Sequence, residues 1–117
     1  MELVIKGKNR LFGEISVQGA KNSVLPVLAG CLLCDGVSEI HNCPDIADVG
    51  TALRILSALG CRCGRDGKTA FCDTGCMTCC EIPEELMREM RSSVVFLGAI
   101  LSRCGKAVIS SPGGGEL

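Results

Sequence analysis

Residues 13–41 read GEISVQGAKNSVLPVLAGCLLCDGVSEIH, and they divide into strand, helix and strand. Ile15 and Val17 alternate with Glu14 and Ser16, the period-two pattern of a half-buried strand, and Gly19 ends it. A helix is predicted from about Asn22 to Cys34. Asn22 or Ser23 can cap it by accepting a backbone N–H. Leu25, Leu28, Leu32 and Leu33 supply its apolar face. Pro26 falls in the first turns, where a missing N–H costs least. Asp35-Gly36 closes the helix, and Val37 to His41 returns as a strand. Alternation of this kind points to an α/β fold.

The same grammar extends in both directions. Upstream, Glu2 to Lys6 reads as a strand, with Gly7-Lys8-Asn9 turning it toward residues 13–18. Downstream, Asn42-Cys43-Pro44-Asp45 is a turn, followed by a helix from about Ile46 to Leu59. Ile46, Val49, Leu53 and Leu56 form its apolar stripe, and Gly60 stops it. Cys61 to Gly64 and Thr69 to Cys72 read as a hairpin joined through Arg65-Asp66-Gly67-Lys68, since Asp-Gly favours tight hairpin turns. Thr74 to Cys80 has no clear pattern. One long helix is predicted from Glu84 to Arg103, opened by Pro83 and two glutamates. Leu86, Met90, Val94, Leu97 and Leu101 make its stripe, which Val95 and Ile100 widen. Gly105 ends it, Lys106 to Ser110 is a last strand, and Ser111 to Gly115 is a loop. Two residues follow that loop, so the chain reads as one cut before a closing element.

Composition narrows the functions open to this chain of 117 residues. Twelve basic residues nearly balance thirteen acidic ones, so no basic stripe is available to neutralise a phosphate backbone. The only aromatic residues are three Phe, too few for base-stacking platforms. Nucleic acid is therefore not an expected partner. The longest apolar run, Val94 to Leu101, is far short of the ~20 residues that span a bilayer, so no membrane association is expected. Without a visible targeting segment, a cytoplasmic protein is the expectation. The apolar fraction of 47% is high for a soluble domain: either the core is generous, or some apolar surface expects a partner, with self-association through an exposed core face as one route.

Ten cysteines need an explanation. A disulfide framework does not suit a cytosolic chain. Cys31-x-x-Cys34 and Cys76-x-x-Cys79 have the spacing of zinc ligands, but the first pair sits in a helical pattern with no knuckle turn. Buried free cysteine behaves as a small hydrophobe, and that reading is preferred for most of the ten, with no metal expected. The cluster Cys72 to Cys80 is the one stretch worth testing for metal.

Three places could carry chemistry. Lys21-Asn22 lies where a Gly-terminated strand turns into a helix. Free N–H groups at a helix start attract anions, and a lysine there strengthens the attraction. On spacing alone, though, Lys21 also reads as a solvated lysine beside an ordinary cap. Arg91 follows Met90 in the most apolar helix, where a guanidinium needs an anion or a route to water. On its own it reads as an exposed helix-face residue. The loop Pro112 to Gly115 lets backbone approach a ligand closely, or is a plain surface loop. With His41 the only histidine, no Ser/His/Asp arrangement is available.

Taken together, four stretches change these odds. They are Gly19-Ala20-Lys21-Asn22-Ser23-Val24-Leu25-Pro26, Asn42-Cys43-Pro44-Asp45-Ile46-Ala47-Asp48-Val49, Met90-Arg91-Ser92-Ser93 and Ser111-Pro112-Gly113-Gly114. In this order and spacing the chain resembles the N-terminal segment of the UDP-N-acetylglucosamine enolpyruvyl transferases. The likeness is weakest from Cys61 to Cys80. The shikimate-pathway relatives share the architecture, but their first motif typically reads Gly-Ser-Lys-Ser, so Gly19-Ala20-Lys21-Asn22 favours the cell-wall enzymes.

The resemblance implies a transferase of bacterial peptidoglycan biosynthesis. Such enzymes move enolpyruvate from phosphoenolpyruvate to UDP-N-acetylglucosamine and release phosphate. It implies a two-domain α/β fold of repeated βαβαββ units, with substrates between the domains and no cofactor. Residues 1–19 would be strands belonging to the other domain, and 20–117 a partial N-terminal domain. Lys21 and Asn22 match the pair that contacts phosphoenolpyruvate, and Arg91 matches an arginine that contacts the UDP-sugar. At the family's general-acid cysteine this chain has Gly115, which has no proton to give. The chain alone is therefore expected to be inactive. The alternatives are a non-enzymatic module with a weak anion or nucleotide-sugar site, and a relative of the shikimate-pathway enzyme.

Overall fold

The structure is a computed structural model, and it describes residues 1–90 and 94–108. Its elements in chain order are α1 (Lys21–Gly30), a single 3₁₀ turn (Cys31–Leu33), β1 (Val37–Ile40), α2 (Ala47–Ala58), β2 (Arg62–Asp66), β3 (Thr69–Asp73), α3 (Glu84–Glu89) and α4 (Phe96–Cys104). The three strands form an antiparallel sheet in the order β1-β3-β2. β1 and β2 are joined through α2 and run parallel to each other, with β3 inserted between them.

Each element follows from local chemistry. α2 ends where Gly60 adopts φ +98, a left-handed conformation that suits glycine. The hairpin turns at Gly67-Lys68, with Gly67 at φ +60, and the closing pair is Asp66↔Thr69. Along β3, Ala70 and Cys72 are buried while Phe71 faces outward. The Phe71 ring lies across Gly64 on β2, where a Cβ would collide with it. α1 packs on α2, α2 covers β2, and α4 packs on α1 and its 3₁₀ turn. The core between them is built from Leu25, Leu28, Leu32, Ile55, Leu56, Leu59, Phe96 and Ile100, all almost fully buried.

Several expectations fail, each for a physical reason. Residues 2–6 and 13–18 form no strand. A strand needs a ladder partner, and among the described residues these segments join no ladder. Leu3, Ile5, Phe12 and Ile15 are consequently exposed. Neither Asn22 nor Ser23 caps α1: the helix starts one residue earlier, Ala20 occupies the cap, and no side chain bonds there. Leu33 is exposed because the last turn tightens to 3₁₀ and rotates it off the apolar face.

The long helix is broken. Met90 is extended, at φ −131 and ψ 111, so α3 ends before it and α4 begins at Phe96. The break shifts the helical phase. The buried residues are Met87, Met90, Phe96 and Ile100, whereas Val94 and Leu101, expected inside, are exposed. Val108 makes only a single parallel bridge to Glu81, and residues 109–110 of the expected last strand lie outside the described residues. The cysteine reading holds for part of the set. Cys31, Cys43, Cys61 and Cys72 are buried, but Cys34 and Cys104 are exposed and the other four are half-buried.

The entry to α1 depends on one close approach. A Cβ on Gly19 would collide with the carbonyl oxygen of Asn42 and sit 3.1 Å from Pro44 Cδ. Backbone cannot retreat as a flexible side chain could, so Gly19→Ala is expected to cost about 1–3 kcal/mol of stability. Thermal unfolding checks this, and an unchanged midpoint would mean the entry can shift without loss.

Candidate functional site

The site begins at the start of α1. Lys21 is its first residue and Asn22 its second, both exposed. The first N–H groups of a helix have no intrahelical partner, and here no side chain caps them. This end of the helix carries partial positive charge, so a lysine is locally unfavourable unless an anion offsets it. Asp48 supplies one: Lys21 Nζ lies 2.7 Å from Asp48 Oδ2. Asp48 sits in the first turn of α2, where a carboxylate is favoured by the same dipole. Two helix starts thus converge on one ion pair, whose lysine remains 55% exposed and able to meet a second anion.

The loop 42–45 holds these helix starts in place. Asn42 adopts φ +55 and donates from Nδ2 to the carbonyl of Val17 at 3.3 Å. Cys43 N–H donates to the carbonyl of Lys68 at 2.7 Å. The Arg65 guanidinium donates to the carbonyls of Cys43 and Pro44, and its Nε donates to Gly67. Arg65 therefore ties the hairpin to the loop on which Gly19 rests. A cleft of about 460 Å³ opens beside Gln18, Asp45, Arg65 and Lys68. A second, of about 300 Å³, lies along Gly19, Ala20, Ser23 and His41. The larger cleft does not include Lys21 or Asn22 in its walls, and Arg65 inside it is already spent on carbonyls. The charge and the open N–H groups mark the α1 start as the better site.

Among the expected site residues, Lys21 and Asn22 fall together on this helix start. Arg91 and Gly115 lie outside the described residues, as does the loop Pro112 to Gly115. Asp48 and Arg65 were missed. Asp48 lies within a stretch quoted for the resemblance, and its place in the first turn of a helix was the available signal. Arg65 was read only as part of a turn, because its partners are 21 and 22 residues away. Among the described residues no group of three His, Cys, Asp or Glu side chains is placed to hold a metal ion. Burial pushes the Cys61 thiol up to about 12 and raises that of Cys31 as well. Cys72 is raised first by its hydrogen bond to Cys63 and then by burial. These core thiols stay protonated at neutral pH and are poor nucleophiles.

Comparison with known proteins gives a consistent result. The family model for EPSP synthase (3-phosphoshikimate 1-carboxyvinyltransferase) matches residues 5–117. The chain is 47% identical over 113 residues to UDP-N-acetylglucosamine 1-carboxyvinyltransferase 2 of Caldanaerobacter subterraneus subsp. tengcongensis. It is 44% identical over 116 residues to the UDP-N-acetylglucosamine 1-carboxyvinyltransferase of Myxococcus xanthus. Each match covers 97% of this chain but only 27% and 28% of the relative, so the chain spans little more than a quarter of their length. The crystal structure of the enolpyruvyl transferase NikO from Streptomyces tendae superposes with a TM-score of 0.72 at 31% identity. That match covers 85% of this chain and 23% of NikO.

Proposed function

Because the chain belongs to the EPSP synthase family of enolpyruvyl transferases, we propose that its α1 start is part of the substrate site of a UDP-N-acetylglucosamine 1-carboxyvinyltransferase. The observation that carries this reading is Lys21 at an uncapped helix start, held by Asp48 and still exposed. A phosphate or carboxylate placed there meets unpaired N–H groups and an ammonium together. Phosphoenolpyruvate carries both kinds of anion. Asn22, on the same turn, adds an amide donor. Asp48 orients Lys21 before the substrate arrives.

The proposed acceptor is UDP-N-acetylglucosamine, a reading supported by the relatives of the chain and by the motif Gly19-Ala20-Lys21-Asn22. Arg91 is the proposed contact to it. The family model takes its name from the shikimate-pathway enzyme, which stays the runner-up on that ground. Gly115 stands where a cysteine would donate a proton, so this chain supplies binding groups without the general acid. Residues 1–19 are proposed to pair as strands with the second domain, which would cover their exposed Leu3, Ile5 and Phe12. Without it, those side chains favour self-association. A place in cytoplasmic, bacterial cell-wall synthesis follows from the proposed reaction. Among the described residues, no helix is long and apolar enough to cross a membrane.

Calorimetric titration with phosphoenolpyruvate tests the site. Weak binding is expected, reduced about tenfold in Lys21→Ala, the low end for a charge-assisted contact because the lysine is half-exposed. Asp48→Asn is expected to weaken binding by less, since it only orients the lysine. Equal affinity in wild type and Lys21→Ala would overturn the assignment. Heat from UDP-N-acetylglucosamine but none from phosphoenolpyruvate would favour the nucleotide-sugar module instead.

A further inference from the structure

The hairpin contains a feature that substrate binding does not use. Cys63 on β2 and Cys72 on β3 are register partners, and their sulfur atoms lie 2.9 Å apart. The parity of the hairpin shows what kind of pair this is. Asp66↔Thr69 closes a two-residue turn and so exchanges both backbone hydrogen bonds. Bonded and non-bonded pairs alternate from there, which makes Cys63↔Cys72 a non-hydrogen-bonded pair. In such pairs the Cα atoms stand about 4.5 Å apart, inside the range of roughly 4.4–6.8 Å that a disulfide spans. Cys63 is half-buried and reachable, whereas Cys72 is fully buried beneath it.

We propose that Cys63 and Cys72 are a redox-modifiable pair that closes to a cross-strand disulfide when the chain meets a small-molecule disulfide. The thiolate of Cys63 attacks one sulfur of RS–SR, forming a mixed disulfide and releasing one RS⁻. Forming the mixed disulfide removes the Cys63 hydrogen bond that does most to hold Cys72 protonated. Cys72 then gives its proton to the released RS⁻ and attacks Cys63 Sγ, the bond to RS breaks, and a second RS⁻ leaves. The two protein protons end on the two released thiols, so two protein thiols are oxidised and one small disulfide is reduced. Cys61 also lies close to Cys72 but is buried, so it offers no entry for the oxidant. The bond staples the hairpin that carries Arg65 and thereby the frame of loop 42–45, leaving Lys21 and Asp48 untouched.

The test exposes the reduced full chain to oxidised glutathione, alkylates the remaining thiols, and maps the tryptic peptides by mass spectrometry. Cleavage after Arg62 and Arg65 isolates Cys63-Gly64-Arg65 from Cys61. The expected product is that tripeptide linked to the peptide beginning at Thr69, with fragmentation placing the bond at Cys72. In Cys72→Ala the second step is removed, and Cys63 is expected to keep a glutathione adduct. Recovery of Cys63 and Cys72 as separate alkylated residues would overturn the proposal. So would a bond from Cys72 to Cys61, or a Cys63 link that persists in Cys72→Ala.

Discussion

The purified chain releases no measurable phosphate from phosphoenolpyruvate plus UDP-N-acetylglucosamine: that is the expected result, and it is the largest effect the proposed function implies. Removing a positioned general acid costs typically 10²–10⁴-fold in rate. On the proposed assignment Gly115 stands in its place, and glycine has no side chain to give a proton. Five of the described thiols are poorly suited to replace it. Cys31, Cys61 and Cys72 are held protonated in the core, while exposed Cys34 and Cys104 flank the far end of α1 and the end of α4, away from Lys21. The chain spans little more than a quarter of the length of the relatives it matches. A coupled phosphate assay checks the point. Turnover abolished by Lys21→Ala would show that another group supplies the proton.

The second large effect is on stability. Arg103→Ala is expected to cost about 2–4 kcal/mol, read as a lower urea midpoint. Arg103 lies in the last turn of α4 with only 24% of its side chain exposed. Nη1 donates to the carbonyls of Leu32 at 3.1 Å and Cys34 at 2.9 Å, and Nη2 donates to the carbonyl of Thr74 at 3.0 Å. These carbonyls end the 3₁₀ turn and begin the segment after β3. Thr74, fully buried, donates its hydroxyl to the same Cys34 carbonyl and its backbone N–H to the carbonyl of Gly36, whose own N–H donates to the Thr74 hydroxyl. Alanine would leave partly buried carbonyls unpaired, which costs more than the bonds themselves are worth. Lysine, a point charge without the fork of donors, is expected to restore only part of the loss. Asp35, 84% exposed and 3.4 Å away, contributes little, and Asp35→Asn should change stability by less than ~0.5 kcal/mol.

What the sequence disclosed, and what it withheld, follows the range of the forces involved. α1, β1, α2 and the hairpin were legible because each is bounded by a local signal: Asp35-Gly36, Gly60, or Asp66-Gly67. Lys21 and Asn22 were placed correctly at a helix start for the same reason. The residues that hold these pieces together were not legible. Arg65 and Arg103 act on carbonyls distant in sequence, and Asp48 finds Lys21 only once α1 and α2 are packed. Strands at 2–6 and 13–18 failed because alternation shows which face a strand would bury, and cannot supply the partner that makes it a strand. The break at Met90 was hidden because apolar residues continue through it at helical spacing.

The central claim is that the start of α1 receives an anion through Lys21, Asn22 and their backbone N–H groups. Backbone amide shifts of the ¹⁵N-labelled chain, followed while phosphoenolpyruvate is added, test it most directly. The amides of Lys21 and Asn22 are expected to move most, with smaller changes at Asp48, and Lys21→Ala is expected to suppress them. Shifts centred instead on Arg65 and Lys68, or none at millimolar phosphoenolpyruvate, would contradict it.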